Sequence, residues 1–184
     1  YYSNRGGVNR TLGDYEAAVA DYTQAIALDS TDLNSYYYRG DSRLQLEDYR
    51  GALRDFDRVL DLNPEDADAY YGRGQVYYAQ DDLETAIENY LKAIEIDDEY
   101  ASVYNSLCWS YSLLEQPEEA LPHCETAIEL DPDPNYYDSR GLAHALLGDE
   151  EAAIADFQFF IDEIGALKDE EGAPYVEKRA AWVK

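Results

Sequence analysis

The chain has 184 residues, of which 40 are acidic and 14 are basic, so its formal net charge is −26. Such a negative surface repels the phosphates of nucleic acids and of anionic lipids, which excludes both as expected partners. Basic or neutral proteins, polar glycans and divalent cations remain. No apolar run approaches the roughly 18 to 20 residues that a membrane-spanning helix needs, so we expect no membrane insertion.

Apolar residues recur at helical spacing along residues 1–163, and turn signals divide this stretch into helical hairpins. In the third hairpin, Tyr70 and Gly74 share a face of the first helix, and Ala86 and Tyr90 share a face of the second. Gly, Asp or Pro interrupts each hairpin between its two helices, and Asp or Asn follows the second helix of the first four hairpins. The predicted hairpins are residues 1–32, 33–66, 67–100, 101–133 and 134–163.

The hairpins repeat one another every 34 or 33 residues. The first helix holds an aromatic residue at Tyr2, Tyr36, Tyr70, Tyr104 and Tyr137, and then a small residue at Gly6, Gly40, Gly74, Cys108 and Gly141. The second helix holds Ala18, Ala52, Ala86, Ala120 and Ala153, and then Tyr22, Phe56, Tyr90, Cys124 and Phe157. Because Gly inside a helix costs about 1 kcal/mol relative to Ala, we expect each Gly to admit the second helix's aromatic ring.

This order of residues resembles the tetratricopeptide repeat: an aromatic, a small residue, a turn, Ala, an aromatic and a terminal Pro. Gly13-Asp14-Tyr15 matches the family's turn, and Leu62-Asn63-Pro64 matches the end of its repeat. The resemblance implies an all-α fold, a right-handed α-solenoid whose first helices line a concave groove. It also implies a non-catalytic role in protein–protein interaction. Pro122 departs from the pattern, since it lies inside a second helix, where we expect it to kink or loosen a turn.

The two ends of the array differ from the repeat. Residues 164–184 contain Gly165 and a breaker-rich stretch, which predict a linker, followed by a capping helix with one apolar face: Tyr175, Val176, Trp182 and Val183. At the other end Tyr1, Val8 and Leu12 are placed to face a preceding repeat, although solenoid ends normally carry polar outer faces. Two explanations stay open. A longer parent chain covers this face, or a second copy docks there end to end through its capping helix.

Cys108 and Cys124 are the chain's two cysteines, and they replace the small residue and the aromatic of the fourth hairpin together. Because the same positions bring Gly under a ring in the other hairpins, we expect the two Cα atoms to lie within the roughly 7 Å limit for a disulfide. We predict a disulfide, closing a short loop and stabilising on the order of 3 kcal/mol. The alternative is a pair of buried, reduced thiols.

Arg precedes the small residue in four hairpins, at Arg5, Arg39, Arg73 and Arg140. The second helices carry Asp21, Asp55, Asn89, His123 and Asp156 at a matching position. In the fourth hairpin Leu107 replaces the Arg where His123 replaces the acid, so the two positions change together. We predict ion pairs within hairpins, joining Arg5 to Asp21, Arg39 to Asp55 and Arg140 to Asp156. Recognition of an anionic ligand by the Arg row is the alternative.

The predicted groove face combines aromatic rings with amides and carboxylates, which suits an extended peptide or, as the alternative, a sugar chain. Its residues are Tyr37, Tyr38, Asp41, Tyr71, Gln75, Tyr78, Asn105, Trp109, Asn135 and Asp138. Packing of these rings on neighbouring helices is the simpler interpretation. Lys is absent from the first 91 residues, so the basic clamp of chaperone-binding family members is not expected.

Catalysis finds little support. His123 and His144 are the only histidines, and neither accompanies a nucleophile and an orienting carboxylate in a known motif. Residues 131–135 lack the bidentate Glu of a calcium loop. We therefore expect no enzymatic activity, no cofactor and no metal site. A disulfide is typical of compartments outside the reducing cytosol, so we expect an extracytoplasmic or secreted protein, with a cytoplasmic one as the alternative.

The sequence therefore predicts a protein-interaction scaffold that holds a peptide or protein in its groove. The alternative is a structural subunit that assembles end to end, because contacts that do not close into a ring produce an open, fibre-like stack.

Overall fold

The computed structural model describes the backbone of residues 1–167 and the side chains of residues 1–164. Of the described residues, 82% are helical. The helices are α1 (Tyr2–Thr11), α2 (Tyr15–Leu28), α3 (Leu33–Gln45), α4 (Tyr49–Leu62), α5 (Ala67–Ala79), α6 (Leu83–Ile96), α7 (Ala101–Leu113), α8 (Pro117–Leu130), α9 (Pro134–Leu147) and α10 (Glu150–Leu167). Within residues 1–167, no helix has the length and apolar character required to span a membrane.

The helices form two compact units. The first unit, Tyr1–Asp98, contains three hairpins, in which each helix packs on the next and the first helices α1, α3 and α5 also touch in sequence. The second unit begins at Glu99 and contains two hairpins, with α7 packed on α8 and α9, and α9 packed on α10. Each unit thus places its first helices side by side.

In the turn inside each hairpin, one residue adopts the left-handed backbone conformation, with a positive φ. These residues are Gly13, Glu47, Asp81, Glu115 and Gly148. The following residue then bonds back across the turn, as when the backbone N–H of Asp48 donates to the carbonyl of Arg43 over 2.8 Å. The Asp48 side chain in turn accepts the N–H of Gly51 and caps α4. One aspartate therefore closes the first helix and starts the second.

The second helices of the first four hairpins end where the sequence predicts. Their C-terminal caps are Asp29, Asn63, Asp97 and Asp131, each with an extended backbone. This agreement follows from the breakers that stand at or directly after each cap.

Two second helices continue past a residue that disfavours helix. α8 runs unbroken from Pro117 to Leu130 through Pro122, because α8 packs on both α7 and α9 and loses only one backbone donor to the proline. α10 passes Gly165 and ends at Leu167, beyond the predicted end of the fifth hairpin at residue 163. A single Gly destabilises a helix by only about 1 kcal/mol, which an apolar helix as long as α10 tolerates.

The repeated Gly positions allow close packing within the hairpins. A Cβ atom added to Gly74 would collide with the ring of Tyr90, and one added to Gly141 would lie 2.5 Å from Phe157. The rings of the second helices are almost fully buried, as are the alanines one turn before them: Ala18, Ala52, Ala86, Ala120 and Ala153. The prediction that each repeated Gly of a first helix admits the aromatic ring of the second helix is confirmed.

Candidate functional site

Three hairpins contain a bidentate arginine–carboxylate pair. In the second hairpin, Arg39 Nε lies 2.9 Å from Asp55 Oδ2 and Nη2 lies 2.6 Å from Oδ1. Two further pairs share this arrangement, Arg5–Asp21 and Arg140–Asp156. All three carboxylates are buried, and the hydrogen bond from Arg5 lowers the pKa of Asp21 below its ordinary value. Each pair therefore joins the first helix of its hairpin to the second.

Arginines of the same row also join neighbouring hairpins in the first unit. Arg39 Nη1 donates to Thr23 Oγ1 of the preceding hairpin over 3.1 Å, and Arg73 Nη1 donates to Asp57 over 2.9 Å. Arg73 Nε bonds Asn89 Oδ1 at 2.6 Å, so an amide replaces the carboxylate there. Arginines of this row are therefore hydrogen-bonded both within their own hairpin and to the preceding hairpin.

Sequence reasoning missed a second donor to the same carboxylates. Asn9 donates to Asp21 over 3.0 Å and Arg43 donates to Asp55 over 2.6 Å. His144 Nε2 lies 3.8 Å from Asp156. Asn9, Arg43 and His144 each stand four residues after the arginine on the same helix, which places them on the same face. That spacing was the available signal.

The fourth hairpin replaces the ion pair with packing and a covalent bond. The sulfur atoms of Cys108 and Cys124 are bonded, their Cα atoms lie 5.0 Å apart, and both residues are fully buried. Leu107 is also fully buried, and His123 stacks on Tyr111 with ring centroids 5.7 Å apart. Burial lowers the pKa of His123 below its ordinary value.

In the first unit, the predicted groove residues lie together on α3 and α5. Tyr37 contacts Tyr38 and Phe56, with ring centroids 5.2 and 5.7 Å away. Gln75 donates to the Tyr71 hydroxyl over 2.8 Å and accepts from the Tyr90 hydroxyl. The rings of Tyr37, Tyr38 and Tyr71 therefore pack on other rings of the protein, and the Tyr71 hydroxyl also joins a hydrogen-bond network.

A cavity of about 650 Å³ opens beside α1 and α3 in the first unit, lined in part by the predicted end-to-end contact residues Val8 and Leu12. Residues lining it include Asn4, Gly7, Arg10, Tyr22, Asn34 and Tyr38. Arg10 Nη1 bonds Asp41 over 3.0 Å, and its guanidinium lies 4.7 Å from the Tyr38 ring centroid. A cation is thus held between a carboxylate and a tyrosine ring at the groove face.

In the second unit, the predicted groove residues lie on α7 and α9. Asn105 and Trp109 are half-buried on α7, and Asp138 is half-buried on α9. Asn105 Oδ1 is buried without a hydrogen-bond partner among the described residues. Asn135 instead donates both its backbone and its side-chain N–H to Asp133, so it helps to cap α9.

The outer face of α1 is exposed where the equivalent faces of α3 and α5 are covered. Val8 is 58% exposed, whereas Ser42 and Val76 at equivalent positions are fully buried. Tyr1 and Leu12 are 85% and 76% exposed. The predicted docking counterpart of this face, namely Tyr175, Val176, Trp182 and Val183, lies outside the described residues, as does the predicted capping helix. Residues 1–167 contain no group of His, Cys, Asp or Glu side chains arranged to hold a metal ion.

Sequence comparison identifies the repeat. A model described as tetratricopeptide repeat matches residues 37–101, and a second with the same description matches residues 101–134. A third, described as TPR repeat, matches residues 6–46. The matches together extend over more than half of the chain. No curated protein matches the sequence.

Several solved structures resemble the chain along nearly its whole length. TTC0263, a thermophilic TPR protein in Thermus thermophilus, has a TM-score of 0.80 and 19% identity, covering 98% of this chain and 97% of that one. MamA has a TM-score of 0.75 and 24% identity, covering 89% and 97%. YrrB, a TPR protein with an unusual peptide-binding site, has a TM-score of 0.70 and 23% identity, covering 96% and 90%. At these identities the likeness establishes the fold alone.

Proposed function

Because the chain belongs to the tetratricopeptide repeat family, whose members generally serve as protein-interaction scaffolds, we propose that it binds an extended segment of another protein along its first helices. The observation that carries this proposal is the aromatic face of the first unit. Tyr37, Tyr38 and Tyr71 are half-buried there and Tyr78 is 36% exposed. Fixed aromatic rings with polar tips make effective anchors, since little side-chain entropy is lost on binding. The resemblance to YrrB supports a peptide as the class of partner.

A peptide library selected on the immobilised protein tests this function. We expect selected peptides to lose at least about tenfold in affinity with Tyr78→Ala, because this change removes a groove anchor of the first unit. Leu91→Ala is the matched control, since Leu91 is 38% exposed but lies on the second helix α6. Thermal melts establish that each variant is folded. Peptides that bind the Tyr78→Ala variant as tightly as the unchanged protein would contradict the assignment.

End-to-end self-assembly is a second candidate, favoured by the exposed outer face of α1. On α10, Ile154 is 41% exposed beside a cavity of about 330 Å³ bordered by Ala145 and Phe157. The measurement is the mass of the purified chain in solution over a concentration series without reductant. Growth into large species that Val8→Asp abolishes and Leu28→Asp preserves would support assembly. A monomer at every concentration would leave the groove as the functional surface.

We also propose an extracytoplasmic location. The buried Cys108–Cys124 bond supports it, because reducing compartments disfavour structural disulfides. Alkylating the protein under denaturing conditions immediately after extraction, followed by mass measurement, tests this. An unmodified pair supports the location, and two alkylated thiols contradict it.

A further inference from the structure

An apolar cluster forms where a second helix meets the first helix that follows it. In the first unit, Ala52 and Phe56 of α4 form a buried cluster with Val76 of α5, and Leu53 of α4 packs against it. The following first helix therefore covers the apolar side of the second helix and removes it from water.

The second unit repeats this arrangement between α8 and α9. Leu121 of α8 packs against a buried cluster that contains Ala143 of α9. Val76 and Ala143 occupy the same position in their helices, since they follow Arg73 and Arg140 by three residues. The residue three positions after the arginine of a first helix thus completes the cluster over α4 and over α8.

α10 presents the same apolar surface beside an open cavity. The α10 residues that match the α4 part of the cluster are Ala153, Ile154 and Phe157, and all three line a cavity of about 330 Å³. Ile154 is 41% exposed, whereas Leu53 and Leu121 at equivalent positions are half-buried. The cavity therefore lies where a following first helix completes the cluster elsewhere in the array.

The C-terminal segment (residues 175–184) has the sequence pattern of such a first helix. It begins Tyr-Val-Glu-Lys-Arg-Ala, and residues 136–141 of α9 read Tyr-Tyr-Asp-Ser-Arg-Gly. The aromatic, the acid, the arginine and the small residue follow one another in the same order. In this register Arg179 continues the Arg row, and Trp182 takes the position of Ala143 in the cluster.

The connection to this segment is long enough for the chain to return to α10. α10 has 18 residues and the other second helices have 14, so α10 is longer by about one turn, or about 5.4 Å. Residues 168–173 lie between α10 and Pro174, and six residues span up to about 20 Å. The extra length of α10 is therefore easily recovered.

The charges of the C-terminal segment also fit α10. In the array, Arg73 donates to Asp57 of the preceding second helix over 2.9 Å. The residue of α10 at the position of Asp57 is Gln158, which donates to Asp162 over 2.7 Å. The C-terminal segment carries three basic side chains and one acidic one, on a chain whose net charge is −26. In the repeat's register, Arg179 faces the Gln158–Asp162 pair.

We propose that the C-terminal segment is a sixth first helix that covers α9 and α10 of its own chain, with the Trp182 ring in the cavity beside Ile154. Arg179 bonds Gln158 in the way that Arg73 bonds Asp57. The contact is independent of the groove function. End-to-end assembly through α1 would use the outer side of this segment, rather than α10 itself, as its docking partner.

Tryptophan fluorescence of the full 184-residue chain tests the proposal, because Trp109→Phe leaves Trp182 as the one tryptophan. We expect Trp182 to be protected from quenching by acrylamide. Ile154→Asp should raise the quenching constant at least about twofold, since a charge placed in an apolar contact displaces the segment. Ala155→Asp is the matched control and should leave the constant unchanged, because Ala155 is an exposed neighbour that points about 100° away around α10. Circular dichroism establishes that both variants are folded.

Three other results would each overturn the proposal. Quenching of Trp182 as strong as that of free tryptophan would mean that the segment does not dock. Protection that grows with protein concentration would mean that a second copy covers α10, which would support end-to-end assembly through α10 instead. Equal quenching of the Ile154→Asp and Ala155→Asp variants would mean that Trp182 does not lie against Ile154. None of these results changes the peptide affinities by which the groove function is tested.

Discussion

Arg39 and Asp55 form a bidentate pair in which the carboxylate is 3% exposed and the guanidinium 12% exposed. Asp55 also accepts a hydrogen bond from Arg43 Nη1 over 2.6 Å, so a single buried carboxylate pairs with two arginines of one helix. Because α3 supplies both arginines and α4 supplies the acid, the Asp55 carboxylate joins the two helices of the second hairpin. Loss of that carboxylate leaves Arg39 without its ion-pair partner and leaves Arg43 with only Asp48, whose Oδ2 lies 3.6 Å from Arg43 Nε.

Asp55→Ala should destabilise the protein by about 3 to 5 kcal/mol, which is the range for breaking a buried ion pair by removing one partner. Urea denaturation followed by circular dichroism measures the change. Asp61→Ala is the control, because its contact with Arg58 is 4.0 Å long and its side chain is 72% exposed. That control should cost less than about 0.5 kcal/mol. A loss below about 1 kcal/mol for Asp55→Ala would show that water already screens the pair.

Gly74→Ala should destabilise the third hairpin even though Ala favours helices. The added Cβ would collide with Tyr90 Cε1, and overpacking of this kind costs about 1 to 3 kcal/mol. Gly7→Ala in α1 is the paired test, since its Cβ would meet nothing closer than the Tyr22 hydroxyl at 3.7 Å. It should stabilise by about 0.5 to 1 kcal/mol through helix propensity. Melting temperatures that shift in the same direction for both variants would contradict the packing argument.

Glu47→Gly should stabilise the second hairpin by about 0.5 kcal/mol. Glu47 has a φ of 58°, a left-handed conformation that strains a residue with a Cβ atom but not Gly. Gly13 and Gly148 fill the equivalent turns of the first and fifth hairpins. Glu88→Gly inside α6 is the control and should cost about 1 kcal/mol. If Glu47→Gly lowers the denaturation midpoint as Glu88→Gly does, the Glu47 side chain makes a compensating contact.

Reduction of the Cys108–Cys124 bond should lower the free energy of unfolding by about 3 kcal/mol, the value expected for a loop of this length. The matched test restores the repeat's own chemistry through the double substitution Cys108→Gly with Cys124→Tyr. That variant should be more stable than the double substitution to Ser, since a buried ring fills the space over Gly. Denaturation curves with and without reductant measure both. A reductant effect that persists in the Gly/Tyr variant would assign the loss to something other than the disulfide.

Stability should fall as the pH drops below about 6.5, the ordinary pKa of His. Burial lowers the pKa of His123 in the folded protein, so as the pH falls the unfolded chain binds a proton first. This protonation stabilises the unfolded state relative to the folded one. The contribution is complete above the unfolded pKa and is lost as the pH falls toward the folded one. His123→Phe, which keeps an aromatic ring against Tyr111, should lessen the drop in urea midpoint between pH 7.5 and 5. His144→Gln retains His123 and should retain its part of the drop.

The candidate site was predictable to different degrees. Arg39 and Asp55 were identified because the repeat shows which positions change together, and Tyr37 and Tyr71 because their spacing places them on one face. The contacts of Arg10 were missed, because its partners Tyr38 and Asp41 belong to another hairpin and no residue spacing on α1 indicates them. The conformation at Glu47 was missed as well, because Gly marks the same turn elsewhere and Glu carries no such signal.

The sequence by itself determined the repeat, the helix order and the ends of most helices, because helical periodicity, capping aspartates and breakers act over a few residues. Only the tertiary structure decided that α8 continues through Pro122 and that α10 reaches Leu167, where packing and length outweigh a local preference. It also decided that one carboxylate serves Arg39 and Arg43, and that Arg10 crosses from α1 to the ring of Tyr38. These outcomes depend on distances between helices, and the free energy that fixes such distances comes from burial across the hairpins rather than from any single segment.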